Sequence, residues 1–218
     1  MSTLSRRYRD TQRMPMPMFP LGSVLFPGAV LPLQVFEPRY RSLVVDVSDS
    51  DGRFGVVLID RGHAVGGGDT RCDIGTVAEI VRIGEAEDER ILIVTVGRER
   101  IRVSKWLDDD PYPQADVEPF PDGAVRDSIE VDLQRALAAR RRLLGLAIEM
   151  GAVDQRLDLD LPKEPAAAVW SLCQAAPLGS FDRQKLLEIE EAHERLHVLE
   201  KMMSDQTGDL MDSLRRHH

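Results

Sequence analysis

The hydrophobic pattern of this chain changes its period once, close to Asp122-Gly123, and this change constrains the fold more than any other feature. Before that point apolar and polar residues alternate in short runs, for example over residues 75–83, which is typical of half-buried β-strands. After it apolar residues recur at helical spacing, beginning with Ile129 and Leu133. Strands first and helices second predict an α+β fold.

Three segments follow from this division. Residues 1–13 are expected to form a flexible basic tail, residues 14–122 a β subdomain and residues 123–218 a helical subdomain. A chain of 218 residues can bury cores of this size without disulfide or metal staples. In the helical part, the apolar spacing predicts three helices, over residues 129–148, 162–176 and 183–204.

An uncharged stretch over residues 14–36 is long enough to span a bilayer. It holds five prolines, however, and each proline inside a helix removes a hydrogen bond and costs about 3 kcal/mol. We therefore exclude a membrane span here and expect a cytoplasmic protein with no membrane partner. Pro17 and Pro20 instead predict a short edge strand over residues 16–21, because sheets accept proline at their edges.

Composition and short motifs exclude several function classes. The net charge of −9 disfavours nucleic acid as the main partner, because such a chain repels phosphate. Only four of the 28 basic residues are lysine and none follows a glycine, so the chain has no Walker A phosphate loop. A G-x-S-x-G nucleophile elbow is also missing. Cys72 and Cys173 cannot form a disulfide framework. These patterns predict a protein that is not an enzyme and needs no cofactor.

His193 and His197 form a literal H-E-x-x-H motif with Glu194 on the last predicted helix. Two imidazoles one turn apart can share a zinc ion, and the glutamate can activate water, as in metalloproteases. The extended motif that would supply a third ligand does not follow. Both histidines also lie one residue after an apolar stripe position. We interpret them as histidines beside a helix contact, with a zinc metalloenzyme as the alternative.

Arg98, Arg100 and Arg102 alternate along one predicted strand. Arginines on one strand face can bind phosphate and stack on bases, so an RNA-binding module is a second alternative. Glu99 and a run of three aspartates lie close by, however, and no aromatic residues interleave with the arginines. A solvated strand face paired with acidic residues is the favoured interpretation.

Four short motifs follow one another early in the β subdomain: Phe19-Pro20-Leu21, Leu25-Phe26-Pro27-Gly28, Leu31-Pro32-Leu33 and Phe36-Glu37-Pro38-Arg39-Tyr40. Weaker matches follow at residues 74–78 and 96–100, and in the helical part at residues 172–187. In this order the motifs resemble the Lon protease N-terminal domain family, over about residues 15–204.

This resemblance implies a PUA-like β pseudo-barrel followed by a helical bundle, in a region that captures unfolded or tagged protein substrates. The chain is too short for the family's ATPase and Ser-Lys protease domains. The expectation is therefore a stand-alone, non-catalytic module that binds protein or peptide, as an adaptor or regulator in protein turnover. Its expected partners are unfolded polypeptide or peptide segments and protease machinery, and self-association stays open.

The candidate peptide contacts are Phe26, Phe36 and Tyr40, which lie around the family-like opening. The same three residues can equally form part of the core, and this alternative stays open. No catalytic residue is expected. No metal ligand is expected either, apart from His193 and His197 in the zinc alternative.

Overall fold

The structure is a computed structural model that describes residues 14–61, 70–85, 90–125, 128–151 and 157–217. Across these ranges it contains a six-stranded mixed sheet and five helices, which confirms the predicted α+β class. Contacts within the chain divide it into two compact units, residues 1–121 and residues 122–218. The predicted tail over residues 1–13 lies outside the described residues.

The described part of the first unit holds six strands and one helix, in the order β1 (Met14–Leu21), β2 (Val30–Val35), α1 (Pro38–Ser48), β3 (Arg53–Arg61), β4 (Thr70–Glu85), β5 (Ile91–Trp106) and β6 (Gln114–Pro119). The sheet order is β2-β5-β4-β3-β1-β6, and β6 also pairs with β5. Five strands therefore close into a barrel. β2 lies outside this ring and pairs with the first part of β5.

The barrel core collects apolar side chains from all five ring strands. Its central cluster consists of Met18, Val57, Val77, Ile101, Val103, Ala115 and Val117. Large aliphatic side chains of this kind each contribute about 1.5–3 kcal/mol when fully buried. Because these residues are far apart in the chain, the cluster forms only when the ring closes.

β1 is not the edge strand that its prolines predicted, because it lies between β3 and β6 in the sheet. Its two halves pair on different sides, residues 14–17 with β6 and residues 18–21 with β3. In these pairings each half has one side without a neighbouring strand. Proline lacks a backbone N–H. The prolines of β1 are therefore accommodated where no neighbouring strand needs a hydrogen-bond donor.

The second unit contains four helices in its described part: α2 (Ile129–Glu149), α3 (Pro165–Ala175), α4 (Ser180–Glu188) and α5 (Ala192–His217). α5 buries Leu196, Leu199 and Met203 on one stripe, as its apolar spacing predicted. Among the described residues, no helix combines the length and the apolar character needed to cross a membrane.

The single helix predicted over residues 183–204 is wrong, because the chain leaves helical geometry between α4 and α5. Ile189 is extended, with φ −75° and ψ 129°. The guanidinium of Arg195 donates to the carbonyl oxygens of Leu186 and Ile189. A continuous helix would use those carbonyls for its own backbone bonds, so the side chain replaces the helical pattern at this point.

Candidate functional site

One face of β2 and β5 is apolar except for Gln34 and is turned toward solvent. Residues directly opposite each other in an antiparallel pair point to the same side of the sheet. Val30 is 62% exposed and Leu92 is 37% exposed. We call this surface the outer face, and it consists of the pairs Val30–Val96, Pro32–Val94 and Gln34–Leu92. Contiguous exposed apolar residues are more typical of interaction sites than isolated ones.

Phe36 continues the exposed apolar surface immediately after β2, where its side chain is 57% exposed. A separate groove of about 400 Å³ is lined by α1 and by Ile91 at the start of β5, where Ile91 pairs with Val35. Val45 of α1, 54% exposed, adds a further apolar side chain. The complete lining is Pro38, Arg41, Ser42, Val45, Asp46 and Ile91.

The other two predicted peptide contacts, Phe26 and Tyr40, are buried. Tyr40 stacks on Phe19 with ring centroids 4.0 Å apart. The loop that carries Phe26 lies against β5 at Gly97, where an added Cβ would come within 2.2 Å of the Phe26 carbonyl oxygen. Of the three predicted contacts, Phe36 is therefore the one that is exposed, and Phe26 and Tyr40 belong to the core.

Asp46, one of the residues that line this groove, is hydrogen-bonded to the loop before β6. The Tyr112 hydroxyl donates to Asp46 Oδ2 at 2.8 Å. Burial, and secondarily this bond to a carboxylate, raises the pKa of Tyr112 to about 12. The tyrosine is therefore a neutral donor at physiological pH and holds the carboxylate in place.

Arg98, Arg100 and Arg102 do not share one face, in contrast to the alternation that the sequence suggests. The pairing of β4 and β5 is irregular between Thr76 and Ala78, opposite this segment. Arg98 is exposed and bonds Glu79 at 2.8 Å, and this bond lowers the pKa of Glu79 and raises that of Arg98. Arg100 is buried instead.

Arg100 and Arg102 meet at one aromatic ring. Each guanidinium carbon lies 4.4 Å from the centre of Phe120. Arg100 also donates to the carbonyl of Pro121 at 3.2 Å. These contacts give both arginines a structural role within the first unit and leave no row of three cations on one strand face.

The H-E-x-x-H motif lies on the first turns of α5. His193 Nδ1 lies 2.6 Å from Asp132 Oδ2 on α2, which ties the two helices together. Within the part of the chain that the structure describes, His193 Nε2 is buried and makes no hydrogen bond. His197 is exposed. Across the same residues no group of three or more His, Cys, Asp and Glu side chains is placed to hold a metal ion, so the zinc alternative lacks a third ligand.

Sequence reasoning missed a polar cluster in which the buried Trp170 and Arg195 meet the partly exposed Asp122. Asp122 accepts from Trp170 Nε1 at 2.9 Å and from Arg195 Nη2 at 2.6 Å. The sequence did contain a sign of this cluster. Arg195 lies at helical spacing between Ala192 and Leu199, on the apolar stripe of α5. Sequence reasoning also missed the outer face, because its members come from two strands paired at long range.

A family model for the ATP-dependent protease La (LON) substrate-binding domain matches residues 15–205. Lon protease 2 of Herpetosiphon aurantiacus is 30% identical over 197 residues, which are 88% of this chain and 24% of that protein. Lon protease of Anaeromyxobacter dehalogenans is 26% identical, over 87% of this chain and 23% of that protein. The chain thus spans about a quarter of the length of these relatives.

Two solved structures resemble the chain. The Lon N-terminal domain protein from Xanthomonas campestris has a TM-score of 0.62 and 30% identity, and the match covers 85% of this chain and 96% of that one. The N-terminal domain of the Mycobacterium avium complex Lon protease has a TM-score of 0.63 at 19% identity, covering 90% and 99%, which supports the fold. Since the family model extends over nearly the whole described chain, this protein belongs to the family of the Lon substrate-binding domain.

Proposed function

We propose that this protein is a non-catalytic module that binds unfolded or extended polypeptide, as an adaptor or regulator in protein turnover. The observation that carries the proposal is the outer face together with Phe36, an exposed apolar surface on a closed barrel. The family supports the substrate class, because its model describes the substrate-binding domain of a protease. Protease machinery is the corresponding partner, and the cytoplasmic location expected from the sequence stays a prediction.

The chemistry of this surface favours unfolded over folded proteins. Covering an apolar surface with another apolar group stabilises a complex by about 25 cal/mol for each Å² removed from water. Folded proteins keep most of their large apolar side chains inside, whereas unfolded segments present them. A row of valines, a proline, a leucine and a phenylalanine therefore selects segments that have lost their own core.

Charged groups beside the outer face support binding rather than catalysis. Glu79 bonds both Arg53 and Arg98, and Arg53 also bonds Glu99. In the groove beside α1, the carboxylate of Asp46 accepts a hydrogen bond from the Tyr112 hydroxyl. These groups hold one another in place, which argues against both proton transfer and phosphate binding here. The polypeptide proposal is therefore preferred to the RNA-binding and zinc alternatives.

The proposal is tested with reduced, carboxymethylated α-lactalbumin, a permanently unfolded protein, in fluorescence anisotropy. A double variant, Val30→Ser with Phe36→Ser, removes two exposed apolar side chains and is expected to weaken binding about tenfold or more. Val131→Ser is the matched control, because Val131 is 54% exposed but lies on α2. It is expected to bind within about twofold of the wild type.

Three results would contradict the proposal. Equal binding by the double variant and the control variant would place the polypeptide on another surface. Degradation of casein by the purified protein, with or without ATP, would show that the module is catalytic. Failure to bind any unfolded protein would remove the proposed function altogether.

A further inference from the structure

β2 has one edge without a neighbouring strand in the part of the chain that the structure describes. Its other edge faces β5, where the Gly97 N–H donates to the Ala29 carbonyl oxygen at 2.9 Å. Backbone groups alternate in direction along a strand, so residue 29 and every second residue after it face β5. Val30, Pro32 and Gln34 therefore turn their backbone groups toward the open side.

The open edge has a specific pattern of hydrogen-bonding groups. Val30 and Gln34 each supply an N–H and a C=O, whereas Pro32 supplies only a C=O because proline has no N–H. Among the described residues, none of these three backbones bonds outside the β2–β5 pairing. The groups repeat every second residue, about 6.6 Å along the strand, which is the repeat of an extended polypeptide backbone.

The same three residues also belong to the outer face. A strand added beside β2 would place every second side chain on that face, next to Val30, Pro32 and Phe36. In this mode of recognition the backbone bonds supply affinity and the alternate side chains supply specificity. The open edge of β2 and the outer face together therefore fit an extended polypeptide.

We propose that β2 accepts an extended polypeptide as an added strand, with apolar side chains at every second position against the outer face. This inference rests on the proposed function and specifies how that ligand binds. Pro32 limits the edge, because proline on an edge strand discourages pairing with other sheets. Because Pro32 supplies no N–H in the middle of this edge, the binding of the polypeptide stays weak and reversible.

The probe is a decapeptide of alternating valine and threonine with a terminal lysine pair for solubility. Two analogues are N-methylated, one on the valine amides and one on the threonine amides. Amides alternate in direction along a strand, so strand addition predicts that one analogue loses binding about tenfold while the other keeps it. This comparison needs no protein variant.

Three substitutions test the same edge from the protein side. Gln34→Pro removes an outward N–H without touching the β2–β5 bonds and is expected to weaken decapeptide binding about three- to tenfold. Gln34→Ala is the matched control, because it removes the side chain and its 3.4 Å contact with Arg90 but keeps the N–H. Pro32→Val adds a donor and is expected to tighten binding by a similar factor. Circular dichroism checks the fold of each variant.

The outcomes separate this inference from the proposed function. If both N-methylated analogues bind as well as the parent peptide, or if Gln34→Pro binds like Gln34→Ala, strand addition is wrong. If carboxymethylated α-lactalbumin still binds in that case, the proposed function survives on side-chain contacts alone. If the wild type binds neither the decapeptide nor the unfolded protein, both proposals fail.

Discussion

The guanidinium carbon of Arg195 lies 3.7 Å from the ring centre of Trp170. Asp122 accepts hydrogen bonds from both residues and so closes a triangle of charge, aromatic ring and carboxylate. Arg195 is only 1% exposed. Its charge is compensated by Asp122 and by the carbonyl groups at the break between α4 and α5. The triangle therefore ties α3 and α5 to the residue where the second unit begins.

Arg195→Ala is expected to destabilise the protein by about 3 kcal/mol, because breaking a buried ion pair leaves the partner uncompensated. Asp122 is partly exposed, which keeps the loss at the lower end of the usual range. The measurement is urea unfolding followed by tryptophan fluorescence. Arg135→Ala is the control, because Arg135 is 63% exposed and its ion pair with Asp132 is long, at 3.6 Å. Equal stability of the two variants would contradict a structural role for the triangle.

Gly97→Ala is expected to lower the free energy of unfolding by about 1–3 kcal/mol, as overpacking usually does. The added Cβ would lie 2.2 Å from the Phe26 carbonyl oxygen, and a backbone atom cannot move aside as a side chain can. The measurement is the thermal midpoint by circular dichroism. Gly84→Ala in β4 is the control, because its Cβ would meet nothing within 4 Å. A loss shared by both variants would point to a general effect of glycine replacement.

Stability is expected to fall at alkaline pH because of Tyr112. Its pKa is raised to about 12 in the folded protein by burial, and then by Asp46. In the unfolded chain it is near the ordinary value of about 10. Between these values the folded state keeps a proton that the unfolded state releases. The contribution of Tyr112 to stability is therefore constant below about pH 10 and falls as pH rises toward 12.

Thermal midpoints of the wild type and Tyr112→Phe across this range measure the effect. The variant loses the 2.8 Å bond to Asp46, so it starts about 1 kcal/mol less stable at neutral pH. Its midpoint should then fall less steeply with pH than that of the wild type. Parallel slopes would show that Tyr112 does not titrate in this window.

The two thiols are expected to differ in reactivity toward Ellman's reagent. Cys173 is fully buried, and this burial raises its pKa to about 12, so it carries almost no thiolate at neutral pH. Cys72 is partly exposed. The native protein should release one equivalent of chromophore, Cys72→Ser none, and both thiols should react in denaturant. Fast reaction of native Cys72→Ser would contradict the burial of Cys173.

The order of strands and helices was predictable because it depends on local patterning. Alternation before residue 122 and helical spacing after it follow from which side chains must share a face, and the structure has β1 to β6 before that point and α2 to α5 after it. The motifs around Phe36 pointed to the family for the same reason, since they record a fixed order of turns and strands. Neither inference needed a contact between distant residues.

The break between α4 and α5 was not predictable from spacing alone. Residues 183–204 have the composition of one helix, but the carbonyl groups of Leu186 and Ile189 bond to the side chain of Arg195 instead. Competition between a side chain and the backbone for the same acceptors is decided only when the chain is packed. β1 shows the same limit, since its prolines predicted an edge and the closing of the ring gave it a neighbour on each side.

The sequence by itself determined the fold class, the order of elements and the family, because these depend on neighbours within a few residues. Tertiary structure alone decided which of Phe26, Phe36 and Tyr40 faces solvent, and which apolar residues join Phe36 on the surface. The outer face exists because Val30 pairs with Val96, residues that are far apart along the chain. The pairing of distant strands decides which side chains are exposed, and no local sequence pattern specifies the register of that pairing.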